Sequence, residues 1–330
     1  MAEPTKGHKR KRSLQDTPVD LSKMRMARQR LAALKEELAD IQETEDELAA
    51  LMEHVNALEV ILNAAKKPKL SFSSTTQTDL KKLGVVQKRL FLIPDSVASL
   101  AEKMTPFAIQ ECGNLQTRIL EIYEHVNMDY EPGSRMILDA VLLSFAKIAS
   151  QERPNQGVAI LPEMRIATGE GVQIVNPVSQ YELWLTGNVD YAVMQYLDEW
   201  DNKERLLGDD TCRDFALEVT EGRLFLVEAK RLRGEPLSSF LPEAVSQAIA
   251  LSKLTTCDVI RFCLSNGQAW IFCILKKDQN EDKWIYYQAT ARSLSRDHVQ
   301  TSDRAVREII QLVSEWLVPT DGLELYKLMG

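Results

Sequence analysis

The chain has 330 residues, of which 45% are hydrophobic and 27% charged, and its formal net charge is −8. This composition is typical of a soluble globular protein, and the length allows one sizeable core with an appendage, or two domains. No apolar stretch reaches the roughly eighteen residues that a membrane helix needs, so we expect no membrane partner. The negative charge argues against a large phosphate-binding surface, although a small cleft with bound metal cations could hold phosphate locally.

Residues 1–19 are predicted to form a disordered basic tail. Within it, residues 8–12 (HKRKR) form a compact basic run of the kind used for nuclear import, and a solvated charge run is the alternative. The five cysteines are odd in number and lack CxxC spacing, which favours a reducing compartment over a disulfide framework or a zinc cluster. We therefore expect a nuclear or cytoplasmic protein.

Residues 20–67 have a helical pattern, with no Gly or Pro between Asp20 and Lys66. Alternating steps of three and four residues define a seven-residue repeat, which predicts a coiled-coil helix and a possible homodimer through residues 20–66. A long helix that packs on its own domain is the alternative. Ten of the twelve positions on the predicted seam are apolar, and the exceptions are Glu45 and Glu59. The seam consists of Met24, Ala27, Leu31, Leu34, Leu38, Ile41, Glu45, Leu48, Met52, Val55, Glu59 and Leu62.

Residues 68–130 are predicted to be a linker and short helices. Pro68 ends the preceding helix, residues 71–78 (SFSSTTQT) indicate a flexible polar linker, and Pro94 and Pro106 are expected to break the helices that follow.

Residues 131–320 are predicted to form an α/β domain of the α+β sandwich type, with a mixed sheet flanked by helices. The expected helices are 134–150, 242–254 and 303–317. The expected strands are 157–168, 181–196, 215–220, 224–230, 259–264 and 269–275.

The chemistry is expected at the end of the strand 224–230. Residues 224–227 (LFLV) are continuously apolar, as in a strand buried on both faces, and Glu228 and Lys230 follow on one face of it. Burying a carboxylate and an ammonium is costly unless something holds them. A metal site is one explanation, and a catalytically silent ion pair is the other. The same spacing in Glu281-Asp282-Lys283 lies in a polar turn and is expected to be solvated.

Asp190 supplies a second acid, alone among the apolar residues of the strand-like segment 185–193. If that strand lies beside the first, Asp190 and Glu228 could converge on one Mg²⁺ or Mn²⁺, which would activate water for phosphodiester hydrolysis. Lys230 would orient the nucleophile or offset charge in the transition state. Asp214 competes for the second-acid role, but it belongs to the polar insertion 197–214 and is less favoured.

Four segments in succession, GNVDY, LFLVEAKR, EAVSQAIAL and RFCLSNGQAWIFCIL, resemble the PD-(D/E)XK, or restriction-endonuclease-like, superfamily. They are most similar to the domains of type I restriction motor subunits and of Crinkler-type and other fungal proteins. The resemblance covers about residues 134–290. It implies a restriction-endonuclease-like core in which Asp190, Glu228 and Lys230 are catalytic and the two acids bind the metal. The matching residues are Gly187, Asp190, Glu228, Ala229, Lys230, Gln247, Asn266, Gly267 and Trp270.

Two further residues are candidates for supporting roles. Gln247 lies in the helix after the strand, but Leu251 follows it where the restriction subunits tend to carry Tyr, so a surface glutamine is the alternative. Glu163, in the first strand, is either an extra metal ligand or a solvent-facing residue.

The sequence is compatible with two functions. The first is a metal-dependent nuclease that hydrolyses phosphodiester bonds of nucleic acid, with DNA as the expected substrate. The alternative is a catalytically inactive nuclear interaction protein that combines the same fold with a coiled-coil oligomerisation segment. The acidic net charge and the lack of an obvious basic groove favour the alternative.

Overall fold

The computed structural model forms two compact units, one of Met1–Lys67 with Val178–Glu182 and one of Pro68–Pro177 with Leu183–Gly330. Across the described part of the chain, no helix combines the length and apolarity needed to cross a membrane. The structure describes residues 21–39, 51–58, 68–153, 155–199, 201–208, 212–220, 223–232, 235–278 and 283–329.

The N-terminal unit contains helix α1 (Leu21–Ala39) and a second helical segment, α2 (residues 51–58). Leu31 and Val55 are buried together, and Ala27 and Met52 pack against them. All four occupy the predicted seam. In one straight helix Leu31 and Val55 would lie about 36 Å apart, so their contact means that α1 and α2 pack side by side. The expectation of a single uninterrupted coiled-coil helix is therefore wrong, whereas the homodimer stays a prediction. The basic run 8–12 lies outside the described residues.

The larger unit is built on a mixed ten-stranded sheet in the order β1-β4-β5-β6-β7-β8-β2-β10, with β3 paired to β4 and β9 to β7. Its central strand β5 is antiparallel to β4 and parallel to β6. The strands are β1 (Lys69–Ser71), β2 (Val86–Leu92), β3 (Gln156–Val175), β4 (Glu182–Leu197), β5 (Leu224–Ala229), β6 (Val259–Ser265), β7 (Ala269–Asp278), β8 (Lys283–Gln288), β9 (Arg292–Ser293) and β10 (Tyr326–Leu328).

Helices cover both faces of this sheet, which confirms the predicted fold class. On one face, α5, α6 and α11 share a core with Phe225, Val227 and Ala229 of β5. On the other face, α9 packs on β6, β3 and β5 and is buried along most of its length. The helices are α3 (Gln77–Lys82), α4 (Pro94–Glu102), α5 (Pro106–His125), α6 (Glu131–Glu152), α7 (Asn202–Leu207), α8 (Arg213–Val219), α9 (Leu241–Thr255), α10 (Arg296–Thr301) and α11 (Arg304–Leu317).

The prediction that residues 68–130 are a linker with short helices is wrong, and the domain begins at Pro68 rather than at residue 131. Strand β1 pairs in parallel with β4, and Phe72 after it is fully buried. Pro94 and Pro106 occupy the first turns of α4 and α5, where the missing N–H costs no hydrogen bond, so they start helices rather than break them. Apolar residues of α5 then complete the main core.

The remaining corrections fall around the polar insertion. The segment 215–220, expected as a strand, falls in helix α8 and its C-cap Thr220, and the insertion 197–214 contains helix α7. Strands β2, β8 and β10 were not predicted. The predicted helices at 134–150, 242–254 and 303–317 and the strand at 224–230 are confirmed. Residues 281 and 282 of the second ExK spacing lie outside the described residues.

Candidate active site

Strands β4 and β5 bring the two predicted acids together. Tyr191 lies opposite Val227 in their antiparallel register, and continuing that register by one residue places Asp190 opposite Glu228. Because side chains alternate along a strand, Val227 points into the core beside α6, whereas Glu228 points toward α9. Strand β5 ends there, and the chain crosses through α9 to the parallel strand β6. The site therefore lies at the carboxyl end of a buried strand.

Glu228 is only 3% exposed, yet both of its carboxylate oxygens accept hydrogen bonds. Oε1 accepts from Lys230 Nζ at 2.6 Å, and Oε2 accepts from Gln247 Nε2 at 2.7 Å. Gln247 also donates to the carbonyl of Asn188 on β4, at 3.3 Å. At 2% exposure Gln247 is buried, so the alternative of a surface glutamine is wrong.

Lys230 is a fixed positive charge. Its Nζ lies 2.6 Å from Glu228 Oε1 and 2.8 Å from Glu243 Oε2, and its backbone N–H donates to the Ser265 carbonyl. Burial alone would lower the pKa of Lys230, but the charges and hydrogen bonds of Glu228 and Glu243 outweigh it and raise the pKa above its ordinary value. Lys230 therefore stays protonated at neutral pH and does not act as a proton acceptor.

Asp190 is held from two sides. Its Oδ2 accepts from the backbone N–H of Ala229 at 2.7 Å, and its Oδ1 accepts from Arg135 of α6. Burial raises the pKa of Asp190, against the opposing effects of the Ala229 N–H and Arg135. Burial, followed by the neighbouring charge of Asp190, raises the pKa of Glu228 well above its ordinary value. Two buried carboxylates this close repel each other, and a shared cation would relieve that repulsion.

Glu163 and Asp214 lie outside this pair of acids. The carboxylate of Glu163 binds Arg135 Nη1 at 2.6 Å, so it reaches Asp190 only through that guanidinium and is not placed as an extra ligand. Asp214 is exposed and pairs with Arg213 at 2.7 Å. The structure thus brings together Asp190, Glu228 and Lys230 with Gln247.

Sequence reasoning missed three charged residues of this cluster, Glu243, Arg135 and Glu131. Glu243 could have been found, because it precedes Gln247 by four residues on α9 and the two must share a helix face. Arg135 gave no such signal. It is one polar residue at the start of α6, and only the docking of that helix on β4 brings it to Asp190.

The hairpin that contributed to the family resemblance has a structural role. Asn266 Oδ1 accepts from the Ala269 N–H at 2.7 Å, and Trp270 Nε1 donates to the Gly267 carbonyl at 3.1 Å. Gly267 has a φ of +78°, and a Cβ there would lie 2.7 Å from the carbonyl oxygen of Ser134. This close approach fixes the start of α6, and with it Arg135, beside the end of β6.

The donor set fits a magnesium or manganese ion rather than a structural zinc ion. Among the described residues, no group of three or more His, Cys, Asp or Glu side chains is placed to hold a metal. Mg²⁺, however, is commonly bound by one or two carboxylates, with water and substrate phosphate completing its shell. Each carboxylate oxygen of Asp190 and Glu228 already accepts one donor, and each keeps a second lone pair for a cation.

The charge balance of the site also favours a cation. In the part of the chain that the structure describes, the contacts of this cluster join five carboxylates to two cationic groups, Arg135 and Lys230. Negative charge is therefore in excess. The five acids are Glu131, Glu163, Asp190, Glu228 and Glu243.

Neither a scan against protein-family models nor a search of the curated proteins finds a match for this chain.

Proposed function

We propose that this chain is a metal-dependent nuclease of the PD-(D/E)XK type, which hydrolyses phosphodiester bonds in nucleic acid, with DNA as the expected substrate. The observation that carries the proposal is the meeting of Asp190 and Glu228, from adjacent strands, beside the charged Lys230. Buried acids with raised pKa values at the end of a central strand are typical of functional sites.

Each residue has a distinct role in this proposal. Asp190 and Glu228 hold the Mg²⁺ or Mn²⁺ ion, which when bound polarises a phosphate oxygen and lowers the pKa of water. Lys230 supplies a fixed positive charge that offsets the negative charge gained by the phosphate in the transition state. Gln247 orients the Glu228 carboxylate, and Glu243 holds the ammonium of Lys230 in place.

A specific observation favours a second candidate, the catalytically inactive interaction protein. All four carboxylate oxygens of Asp190 and Glu228 already have donors from within the chain, so the site is satisfied without a metal. In that case the cluster would be a structural ion-pair network, and the domain would bind a partner through its surface. This candidate includes a role in the nucleus, and self-association through residues 20–66 is compatible with both candidates.

A cleavage assay separates the two candidates. Supercoiled plasmid and single-stranded DNA and RNA are incubated with the full chain in Mg²⁺ or Mn²⁺, with an EDTA control. We expect divalent-dependent cleavage of at least one substrate by the wild-type chain, and its loss in Asp190→Asn. The matched control is Asp214→Asn, which removes an exposed acid outside the site and should cleave like the wild type. Cleavage that survives Asp190→Asn would contradict the proposal.

A further inference from the structure

Arg135 is the cation that already occupies one of the two acids of the site. Its guanidinium binds Asp190 Oδ1 through Nη2, Glu131 Oε1 at 3.1 Å through the same nitrogen, and Glu163 Oε1 at 2.6 Å through Nη1. The side chain keeps 26% of its surface exposed, so solvent reaches the guanidinium. One guanidinium is thus shared among three carboxylates, of which only Asp190 is buried.

The Arg135 guanidinium has two alternative sets of partners, one with Asp190 and one without it. If the guanidinium leaves Asp190, Glu131 and Glu163 remain as partners in solvent-exposed positions, so the departure does not strand a charge. Glu163 is one of the few non-glycine residues with a positive φ, at +51°. Such backbone conformations persist where the surrounding structure holds them, and they concentrate at functional sites. Here that conformation belongs to the residue whose side chain holds the second end of the guanidinium.

We propose that Arg135 competes with the divalent cation for Asp190, so that it sets the metal affinity of the site as a built-in counter-cation. This inference rests on the proposed metal site at Asp190 and Glu228. A guanidinium and a divalent ion at one carboxylate repel each other, and at the short distances of this cluster that repulsion is large even in a partly solvated site. Binding the ion therefore moves Arg135 onto Glu163 and Glu131, and Arg135 returns to Asp190 when the ion leaves.

Competition and simple positioning predict opposite results for the same substitution. If Arg135 competes, Arg135→Gln should tighten Mn²⁺ binding by at least about tenfold, because a positive charge beside the ligand is removed. If Arg135 only holds Asp190 in position, Arg135→Gln should weaken Mn²⁺ binding. Glu163→Gln removes the alternative partner of Arg135 and one negative charge of the cluster, so it should weaken Mn²⁺ binding in both cases, and the sign for Arg135→Gln decides between them.

The experiment is a calorimetric titration of the full chain with Mn²⁺, without nucleic acid. The wild-type chain, Arg135→Gln, Arg135→Lys and Glu163→Gln are compared, and circular dichroism confirms that each variant is folded. Arg135→Lys keeps the charge and should stay close to the wild type. The matched control is Lys147→Gln. Lys147 lies on α6 like Arg135, but it pairs with the buried Glu111 of α5, away from the site, so its loss should leave the Mn²⁺ affinity unchanged.

The possible outcomes separate this inference from the proposed function. Tighter binding by Arg135→Gln, or binding by that variant alone, supports the competition. Equal or weaker binding by Arg135→Gln, with a wild-type chain that binds Mn²⁺, overturns the competition and leaves the proposed metal site standing. If neither the wild-type chain nor Arg135→Gln binds Mn²⁺, the metal site and the competition are both overturned.

Discussion

Buried carboxylates occur in two regions of this protein, and the two regions have opposite effects on the pKa. Glu111 on α5 is 4% exposed and accepts from Lys147 at 2.6 Å, from Ser144 at 3.0 Å and from Asn114 at 3.2 Å. One acid thus faces one cation and two neutral donors. Burial would raise the pKa of Glu111, but these partners outweigh it and lower the pKa below its ordinary value. The ionised form is therefore stabilised by the fold.

At the candidate active site, Asp190 and Glu228 are also buried and hydrogen-bonded, but their pKa values are raised. The difference comes from burial, which outweighs the partners of Asp190 and Glu228 but not those of Glu111. At Glu228 the charges of Asp190 and Glu243 add to the effect of burial. Buried acids whose partners do not compensate their charge are typical of functional sites, whereas a compensated acid such as Glu111 is typical of a structural ion pair.

The largest effect is expected on the cleavage rate, when Lys230 at the site and Lys147 beside Glu111 are each replaced. Lys230→Ala should lower the rate of nucleic-acid cleavage by about 10²–10³-fold, because a fixed positive charge beside the reacting phosphate is lost. Lys147→Ala should leave the cleavage rate unchanged, since Lys147 pairs with Glu111 away from the site. Cleavage rates measured under single-turnover conditions test both, with circular dichroism as the check on folding. Equal losses in the two variants would show that the ion pairs act only on stability.

Glu111→Gln should lower the free energy of unfolding by about 1–3 kcal/mol at pH 7, because a hydrogen-bonded buried charge is removed. The pKa of Glu111 is lowered by folding, so its contribution is present above the ordinary value of 4.5 and is lost as the pH falls through the lowered value. Urea unfolding at pH 7 and at acid pH should show a difference from the wild type that shrinks on acidification. A difference that is constant with pH would contradict this assignment.

Glu228→Gln should raise the free energy of unfolding at pH 7, whereas Glu111→Gln lowers it. Folding raises the pKa of Glu228, so the unfolded chain releases this proton at a lower pH than the folded chain does. The contribution of Glu228 to the stability of the wild type is therefore lost as the pH rises from the ordinary pKa of 4.5 through the raised value. The substitution removes one charge from the excess, and the variant should be more stable by about 1 kcal/mol at pH 7. Urea unfolding in EDTA tests this. Destabilisation comparable to that of Glu111→Gln would place Glu228 in a balanced structural pair instead.

The parts predicted from the sequence are those with a local pattern. The apolar run before Glu228 and the two-residue spacing to Lys230 defined β5 and one edge of the site. The isolated acid Asp190 was correctly placed beside it, because β4 carried a strand pattern of its own. By contrast, Arg135 reaches the site only through the docking of a helix on a strand more than fifty residues away. Such contacts leave no periodic trace in the sequence.

The start of the domain was missed for a related reason. Pro94 and Pro106 are expected from the sequence to break helices, although a proline in the first turn favours a helix. Strand β2 has its pairing partners at β8 and β10, near the other end of the chain. Its pairing therefore could not be anticipated from neighbouring residues, and the segment 68–130 was assigned to a linker.

The central claim is that Asp190 and Glu228 together hold a divalent cation, and a calorimetric Mn²⁺ titration of the wild-type chain beside Glu228→Ala tests it most directly. The account predicts saturable binding of one ion per chain to the wild type, and loss of that binding in Glu228→Ala while the variant remains folded. Binding that is unchanged in Glu228→Ala, or no binding by either the wild-type chain or Arg135→Gln at millimolar Mn²⁺, would contradict the account.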